Sequence, residues 1–308
     1  MKVIVVGLGV QGYKRRRIAG NDFVADVDPA NAEAKYRDLQ DVPLDSFDAA
    51  LLCVPDQVKV ELIRYLLANG KHVLVEKPLF ANDTNVIDEL QAMANANGVV
   101  CYTAYNHRFE PHFVKMRDLI ASGTLGEIYR CRMFYGNGTA RLVRDSEWRD
   151  KGAGVLPDLG SHLLDTASFW FGRPDGDFRV VSANRFENLS ADHVVIGSSG
   201  NRPELEMEMT LLMWRNHFTC DVLAEKGSAH ISSLCKWGPS TFTVRRRVLP
   251  SGRPLEETKT LTQSDPTWED EYRYFCALCS NGGATDLSQD KWLLETLTRL
   301  SEDVLREA

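Results

Sequence analysis

Two short segments of the chain carry side chains suited to acid–base chemistry. Asp158 and His162 are four residues apart, and a helix that begins by Asp158 places both on one face. A carboxylate beside an imidazole can orient the ring and raise its basicity, which suits a general acid or base. The alternative is that Asp158 only caps the helix and His162 is a hydrogen-bonded core histidine. The second segment is the tripeptide Glu76-Lys77-Pro78, which follows the apolar run His72–Val75.

A glycine-rich loop near the start of the chain is typical of a dinucleotide site. The run Lys2–Val6 predicts a strand, and the loop after it consists of Gly7, Leu8, Gly9, Val10, Gln11 and Gly12. In such loops the first glycine allows a tight turn, the second admits a pyrophosphate, and the third lets the next helix pack on the strand. In an open parallel sheet, ligands bind at the carboxyl ends of the strands. Lys77, at the end of another strand, therefore indicates redox chemistry on a bound nicotinamide.

Asp26 indicates which nicotinamide cofactor the loop binds. It ends the next predicted strand, nineteen residues after Gly7, close to the spacing of about 20 expected for an acid that binds ribose hydroxyls. Because its carboxylate would repel a 2′-phosphate, the sequence favours NAD over NADP. Four consecutive cations, Lys14–Arg17, follow the loop on a predicted helix of about two turns. They point in several directions, so we expect most of them to be solvated.

The elements that must position these residues change in character along the chain. In the first third, short apolar strands alternate with helices, which is the pattern of βαβ units and a parallel sheet. Beyond about Leu125 the runs are longer and alternate apolar with polar residues, which predicts an antiparallel sheet with one covered face. The predicted strands are Val3–Val6, Phe23–Asp26, Ala49–Val54, Val73–Val75, Val99–Thr103, Ile128–Tyr135, Leu205–Trp214, His217–Leu223 and Thr241–Val248. The predicted helices are Val58–Asn69, Thr84–Asn97, Ser161–Phe171, Trp268–Cys279 and Lys291–Arg306.

Composition restricts the class of protein. The 308 residues are a length typical of two domains, and 44% hydrophobic and 26% charged residues are ordinary for a globular protein. A net charge of −7 argues against nucleic acid or an anionic membrane as the main partner, and no apolar run reaches spanning length. The strand from Lys2 leaves no room for a signal peptide, and seven scattered cysteines indicate reduced thiols. We therefore expect a cytoplasmic protein with no metal site and no membrane contact.

Together these motifs resemble the Gfo/Idh/MocA family, the group of glucose–fructose oxidoreductase and inositol dehydrogenase. The matching segments are Gly7–Gly12, Val24–Pro29, Cys53–Asp56, Gly70–Leu79, Asn106–Phe109 and Asp158–His162. The resemblance implies an α/β protein whose N-terminal domain, residues 1–120, is a Rossmann doubly wound parallel sheet. It implies a C-terminal α+β domain, residues 121–308, built on an open, mostly antiparallel sheet that binds substrate and forms an oligomer. The final helix is expected to pack back on the first domain.

The resemblance also implies roles for particular residues. Lys77, Asp158 and His162 would meet at the nicotinamide as the catalytic set, and Asn106 would line the nicotinamide pocket. Besides the loop residues Gly7, Gly9, Val10, Gln11 and Gly12 and the acid Asp26, the implied cofactor contacts are Cys53, Val54, Pro55, Glu76 and Lys77. One departure is Lys59, which stands where members often carry a histidine. We expect that position to be peripheral.

A group of basic residues before Asp158 bears on the substrate. The residues are Arg141, Arg144, Arg149 and Lys151, and acidic residues lie between them, so a solvated loop is the default. If Arg149 turns inward, its guanidinium suits a carboxylate or a diphosphate, because it binds such groups bidentately. The predicted substrate contacts are therefore Arg149, Lys77, Asp158 and His162.

Three classes of function remain open. The leading one is an NAD-dependent dehydrogenase that transfers a hydride between nicotinamide and a secondary alcohol of a sugar, cyclitol, sugar acid or nucleotide-sugar. The second is substrate–substrate redox with a retained cofactor, and the third is a non-enzymatic, nucleotide-sensing regulator. The presence of Lys77, Asp158 and His162 together favours catalysis. We also expect a homo-oligomer, a dimer or a tetramer, paired through the exposed face of the C-terminal sheet, because Leu205–Trp214 has a strongly apolar face. The alternative is that this apolar face is core covered by helices.

Overall fold

The computed structural model describes residues 1–146, 149–174, 177–198, 200 and 202–307. The chain divides into two compact units. The first consists of Met1–Asn106 and Thr267–Glu295, and the second of His107–Pro266 and Thr296–Ala308. The chain passes from the first unit to the second between Asn106 and His107, before the boundary predicted from the sequence, so these two neighbours belong to different units.

The first unit is built on a parallel sheet with the strand order β2-β1-β3-β4-β5. The strands are β1 (Val3–Val6), β2 (Phe23–Val27), β3 (Ala49–Leu52), β4 (His72–Glu76) and β5 (Cys101–Ala104). Every residue of β1 and β3 is buried, as expected where helices cover both faces of a parallel sheet. The chain leaves β1 on one side to form β2 and returns on the other side to form β3, so the glycine loop after β1 lies where the strand order reverses. The predicted parallel Rossmann-type sheet is confirmed.

Most of the helices begin and end close to the residues that the sequence predicts, but the prediction missed the helices Pro111–Ala121 and Ala140–Arg144. They are α1 (Val10–Ala19), α2 (Asp56–Ala68), α3 (Thr84–Ala96), α4 (Pro111–Ala121), α5 (Ala140–Arg144), α6 (Ser161–Phe171), α7 (Thr267–Ser280) and α8 (Ser288–Glu307). The Asp83 side chain caps α3 by accepting a hydrogen bond from the Asn85 N–H. With ten residues, α1 is longer than the two turns we predicted. Within the described residues, no helix has both the length and the apolar character needed to cross a membrane.

The second unit is built on a sheet with the strand order β13-β12-β11-β10-β6-β9-β8-β7. The strands are β6 (Ile128–Gly136), β7 (Phe178–Asn184), β8 (His193–Ser198), β9 (Glu204–Thr210), β10 (His217–Ala224), β11 (Gly227–Ser232), β12 (Ser240–Arg246) and β13 (Glu256–Leu261). β6 pairs with β9 in parallel, and the other neighbouring strands pair antiparallel. The predicted open, mostly antiparallel sheet is confirmed. The sequence prediction missed β7, β8, β11 and β13, whose short runs alternate less regularly.

The alternation of β9 decides which face of this sheet is core. Its buried apolar side chains are Leu205, Met207 and Met209. On the other face, Glu206 and Glu208 form ion pairs with Arg130 and Arg132 of the neighbouring strand β6. The apolar face on which we based a subunit interface is therefore buried core, and the outward face is charged. The homo-oligomer stays a prediction, without support from an exposed apolar strand.

Candidate functional site

The glycine loop depends on close backbone approaches that a side chain would block. Gly7 has a φ of +89°, and a Cβ there would lie 2.5 Å from the carbonyl oxygen of Cys53. A Cβ on Gly12 would lie 1.9 Å from the Gly7 oxygen, so this glycine lets α1 pack on the loop. No described atom lies within 4 Å of the Cβ position of Gly9, and Val10 is 85% exposed. The loop is thus an open cradle at a helix N-terminus, which fits the pyrophosphate of a dinucleotide.

The segment after β3 borders this cradle. The Cys53 N–H donates to the Val6 oxygen at 2.8 Å, and the Gly7 N–H donates to the Val27 oxygen at 2.8 Å. Burial, and then the charge of Glu76, raises the pKa of the Cys53 thiol, so this group stays neutral. Val54 and Pro55 continue from Cys53 to the start of α2, and Gln11 is exposed on α1. Cys53 and Val54 thus lie against Gly7 of the loop, and the cofactor contacts predicted for these segments stay predictions.

Asp28 is a residue of this loop system that sequence reasoning missed. Its Oδ2 accepts a hydrogen bond from the Leu8 N–H at 2.7 Å, and its Oδ1 accepts from the N–H groups of Ala30 and Asn31. Burial opposes the charged form, but these hydrogen bonds hold the pKa of Asp28 below its usual value. The carboxylate thereby fixes the glycine loop against the turn that follows β2. Its signal in the sequence is an aspartate before Pro29, a position that favours turns.

Asp26 does not project freely from the end of β2. It is 3% exposed, and its Oδ1 accepts a hydrogen bond from the Lys35 N–H at 2.7 Å. Its Oδ2 lies 3.0 Å from the Nη1 of Arg16, which comes from α1. One of the four consecutive cations therefore compensates the charge of the acid that we assigned to the ribose.

Arg15 is a buried cation of α1, although we expected most of the four consecutive cations to be solvated. It is 0% exposed, with its Nε 2.7 Å from Oε1 of Glu76 and its Nη2 2.7 Å from Oε2 of Glu271. Its guanidinium carbon lies 4.3 Å from the ring centre of Trp268, and the Lys14 ammonium lies 3.6 Å from the same ring. The physical reason is that the face of α1 that carries Arg15 meets α7, whose buried Glu271 needs a cation.

We expect the Arg15→Ala protein to lose about 3 kcal/mol of the free energy of unfolding, because the change leaves Glu271 buried without this cation. The measurement is urea unfolding followed by circular dichroism. The neighbouring Arg17 is exposed, so Arg17→Ala is the matched control and should stay within about 0.5 kcal/mol of the unaltered protein. Equal losses of unfolding free energy in Arg15→Ala and Arg17→Ala would show that the buried ion pairs of Arg15 do not stabilise the protein.

The Glu76-Lys77-Pro78 turn is held by side chains from two helices. The Glu76 carboxylate is bound by Arg15, as described above. Lys59 of α2, expected to be peripheral, is instead 3% exposed and donates hydrogen bonds from its Nζ to the carbonyl oxygens of Glu76 and Pro78. The prediction for Lys59 was wrong because its long side chain reaches across the end of β4, which the sequence spacing does not reveal.

Asn106 follows β5 at the end of the first unit's N-terminal segment. It is buried, and its Nδ2 donates to the Thr267 hydroxyl at 2.9 Å. Thr267 begins α7, so this bond joins two parts of the first unit that are distant in sequence. The predicted lining role of Asn106 stays a prediction.

In the second unit, Asp158 and His162 lie on consecutive helical turns. Leu156–Gly160 forms a single π-helical turn that leads into α6 at Ser161. Such turns are frequent at functional sites, because they re-aim side chains within a helix. The Asp158 carboxylate is half-exposed, and its Oδ2 lies 3.9 Å from the Nη2 of Arg149. Arg149 therefore turns towards the predicted acid, whereas Arg141, Arg144 and Lys151 are exposed.

His162 packs against aromatic groups that sequence reasoning did not assign to the site. Its ring stacks on that of His107, with 4.0 Å between centroids and 18° between planes. Arg108 donates to Asp165, one turn beyond His162, and this ion pair places His107 against α6. Tyr135 lies 6.0 Å from His162 by ring centroids. Burial, and then the charge of Asp158, raises the pKa of Tyr135, so the phenol keeps its proton.

A connection between β11 and β12 adds two further groups to this cluster. The Lys236 Nζ lies 3.4 Å from the Nε2 of His107, and the Trp237 ring lies 5.7 Å from that of Tyr135. In the sequence, the nearest signal for His107 is its place after Asn106, while Lys236 and Trp237 have no local signal. Within the described residues, no group of His, Cys, Asp and Glu side chains is placed to hold a metal ion.

Two family models match the chain and identify its class. Residues 1–105 match an oxidoreductase family model described as an NAD-binding Rossmann fold, and residues 113–230 match the GFO/IDH/MocA C-terminal domain. The chain belongs to the GFO/IDH/MocA family of oxidoreductases.

Relatives with named activities are dehydrogenases. The mouse trans-1,2-dihydrobenzene-1,2-diol dehydrogenase is 28% identical over 192 residues, which are 58% of this chain and 52% of that protein. The scyllo-inositol 2-dehydrogenase (NADP(+)) IolW of Bacillus subtilis is 27% identical over 151 residues, 48% of this chain and 41% of that protein. The chain thus spans about half, or less, of the length of these relatives.

Solved structures share the fold over nearly the whole chain. Levoglucosan dehydrogenase in complex with NADH superposes with a TM-score of 0.83 at 16% identity, covering 100% of this chain and 98% of that chain. The UDP-N-acetylglucosamine 3-dehydrogenase GnnA of Acidithiobacillus ferrooxidans gives a TM-score of 0.80 at 18% identity, covering 99% and 97%. At these identities the likeness shows the fold alone.

Proposed function

We propose that the protein is an NAD(P)-dependent dehydrogenase that transfers a hydride between nicotinamide and a secondary alcohol of a sugar-like substrate. The observation that carries this proposal is the acid–base set of the second unit, where His162 stacks on His107 and Asp158 lies in the preceding helical turn. A dehydrogenase must move a hydroxyl proton for every hydride, whereas a protein that only senses nucleotide needs no such set.

The proposed roles follow from the chemistry of each group. In the oxidation direction, His162 accepts the hydroxyl proton of the substrate as the carbinol C–H bond breaks, and the product is a ketone. A bound nicotinamide supplies the hydride acceptor. Lys77 donates a hydrogen bond to the substrate oxygen and stabilises its developing negative charge. Asp158 orients His162 or binds a second hydroxyl of the substrate.

The named relatives support a cyclic secondary alcohol as the substrate class. Their names refer to an inositol, a cyclic dihydrodiol and sugars or sugar derivatives. We include sugars, cyclitols, sugar acids and nucleotide-sugars in the proposed class. Arg149 favours the anionic members of this substrate class, because a guanidinium binds a carboxylate or a diphosphate bidentately. Its guanidinium lies beside Asp158, which we propose as a substrate contact.

A substrate screen tests this proposal. Purified protein is incubated with NAD or NADP and with neutral sugars, cyclitols, sugar acids and nucleotide-sugars, and the appearance of reduced nicotinamide is followed by absorbance. Steady reduction with one class supports the proposal. Cofactor that stays bound through gel filtration, without net reduction, indicates substrate–substrate redox instead. Nucleotide binding without turnover on any member of the panel contradicts a dehydrogenase.

We propose NAD as the preferred cofactor and expect it to bind at least about tenfold more tightly than NADP, since a misplaced like charge costs about 1.4 kcal/mol or more. The Asp26→Ser variant should narrow this gap, because it removes the carboxylate and releases Arg16 to meet a 2′-phosphate. Fluorescence titration with NADH and NADPH measures both affinities.

Two further variants make this cofactor prediction specific. Arg16→Ala combined with Asp26→Ser should reduce the gain in NADPH affinity to the part that comes from the lost carboxylate, and Asp45→Ser, at an exposed site, is the matched control that should change neither affinity. A preference for NADP in the unaltered protein would show that the Arg16 cation outweighs the Asp26 carboxylate.

A further inference from the structure

Lys59 is a buried lysine whose donors are directed at the backbone around Lys77. Its Nζ lies 2.8 Å from the carbonyl oxygen of Glu76 and 3.0 Å from that of Pro78. The same Nζ lies 2.6 Å from Oδ1 of Asp56, one helical turn earlier on α2. The two carbonyls belong to the residues that precede and follow Lys77, so Lys59 holds the chain on both sides of this residue.

The ammonium group of Lys59 has one N–H donor for each of these three acceptors. A lysine carries three N–H donors and no acceptor. Glu76 O, Pro78 O and Asp56 Oδ1 supply three acceptors within hydrogen-bond distance. Lysines are almost never fully buried unless they are paired, so a solvated surface side chain does not explain this arrangement. The structure thus has a clamp at the carboxyl end of β4.

A second contact restrains the same turn through a side chain. The Glu76 carboxylate accepts a hydrogen bond from the Nε of Arg15 at 2.7 Å. The carbonyls on both sides of Lys77 and the side chain before it are therefore held by two buried cations. With its flanking backbone held in this way, the direction in which the Lys77 side chain leaves the turn is restricted.

We propose that Lys59 is a positioning residue that sets the orientation of Lys77. The inference rests on the proposed function only for the role of Lys77 in turnover; the clamp itself is a property of the first unit. A displacement of about 1 Å in a catalytic group can cost roughly 10²-fold in rate. Because Lys59 acts on the turn and not on the glycine loop, its loss should lower kcat much more than it changes cofactor affinity.

The main test replaces Lys59 with methionine, which keeps the stem and removes the donors. On the substrate found in the screen, Lys59→Met should lower kcat by about tenfold or more, with KM and the dissociation constant for NADH within about threefold. The matched control is Lys71→Met. Lys71 donates to the Phe47 carbonyl at 2.9 Å and precedes β4, so it makes the same kind of bond at the other end of the strand. The control should keep kcat within about twofold.

A double-mutant cycle shows whether Lys59 acts through Lys77. If it does, Lys59→Met adds little to the loss already caused by Lys77→Ala, because the group that it positions is absent. Full additivity of the two losses overturns the inference. Lys59→Gln is the conservative variant, since its neutral amide can donate to both carbonyls. It should recover part of the lost kcat, and it keeps the test usable if Lys59→Met folds poorly.

A measurement without substrate separates failure of this inference from failure of the proposed function. Reductive methylation with carbon-13-labelled formaldehyde tags lysine amines and keeps their charge. The Lys77 signal in the NMR spectrum is assigned by its loss in Lys77→Arg. We expect this signal to shift or broaden in Lys59→Met and to stay unchanged in Lys71→Met. An unchanged Lys77 signal in Lys59→Met overturns the inference, whatever the enzyme assays show. Normal turnover of Lys77→Ala instead contradicts the role of Lys77.

Discussion

The His162→Ala protein should turn over its substrate roughly 10²–10⁴-fold more slowly than the unaltered protein, because it lacks the group that accepts the hydroxyl proton. Its affinity for NADH should change by no more than a few-fold, since His162 is not among the residues that we propose to bind the cofactor. Steady-state kinetics on the substrate from the screen measure the first quantity, and fluorescence titration measures the second. A fall in kcat at constant cofactor affinity identifies a residue of the chemical step.

A second histidine of the same unit provides the control for this experiment. His193 lies on β8, partly exposed, and its ring is 6.3 Å from that of Phe186. His193→Ala removes an imidazole of the second unit without touching the stacked pair of His107 and His162. It should keep turnover within about twofold. If His162→Ala also retains near-normal turnover, His162 is a structural histidine of α6 and its proposed role as the base is wrong.

The Lys77→Ala protein should lose roughly 10²–10³-fold in turnover, which is the usual effect of removing one donor to a developing oxyanion. The loss should fall mainly on kcat, because the hydrogen bond to the substrate oxygen strengthens as negative charge develops. Lys77→Arg keeps the charge but changes its geometry, so it should recover only part of the rate. A lysine near a cofactor can lose its proton, so Lys77 could be the general base and His162 the donor to the substrate oxygen. The pH dependence of kcat in Lys77→Ala and Lys77→Arg distinguishes these two assignments.

Lys291→Ala is the matched control for the loss of a lysine from the first unit. Lys291 pairs with Asp88 at the surface, and such exposed pairs contribute about 0–1 kcal/mol. This variant should keep both turnover and stability close to those of the unaltered protein. Near-normal turnover in Lys77→Ala, with a substrate established for the unaltered enzyme, would assign Lys77 to the structure of the turn and not to catalysis.

The local pattern of the sequence predicted the parallel sheet of the first unit and four of the strands of the second, whereas β7, β8, β11 and β13 were missed. The apolar run before Gly7 predicted β1, because a strand buried on both faces must be apolar throughout. The glycine spacing predicted the loop, because Gly7 and Gly12 stand where a Cβ would collide with backbone. Alternation in Ile128–Tyr135 predicted β6 of the mixed sheet, because one face is core and the other meets water. Each of these patterns lies within a few consecutive residues, which the sequence displays directly.

What the sequence by itself determined, then, is the class of fold, the glycine loop and the placement of Asp158 and His162 on consecutive helical turns. Tertiary structure alone decided the environment of the charged groups. Arg15 finds its carboxylates 61 and 256 residues away, and Lys59 binds carbonyls 17 and 19 residues away. The physical reason is that a charge can be buried only where acceptors from separate segments converge, and convergence depends on packing of whole helices and strands. A local pattern therefore does not predict the burial of such a residue, and it predicted neither that of Arg15 nor that of Lys59.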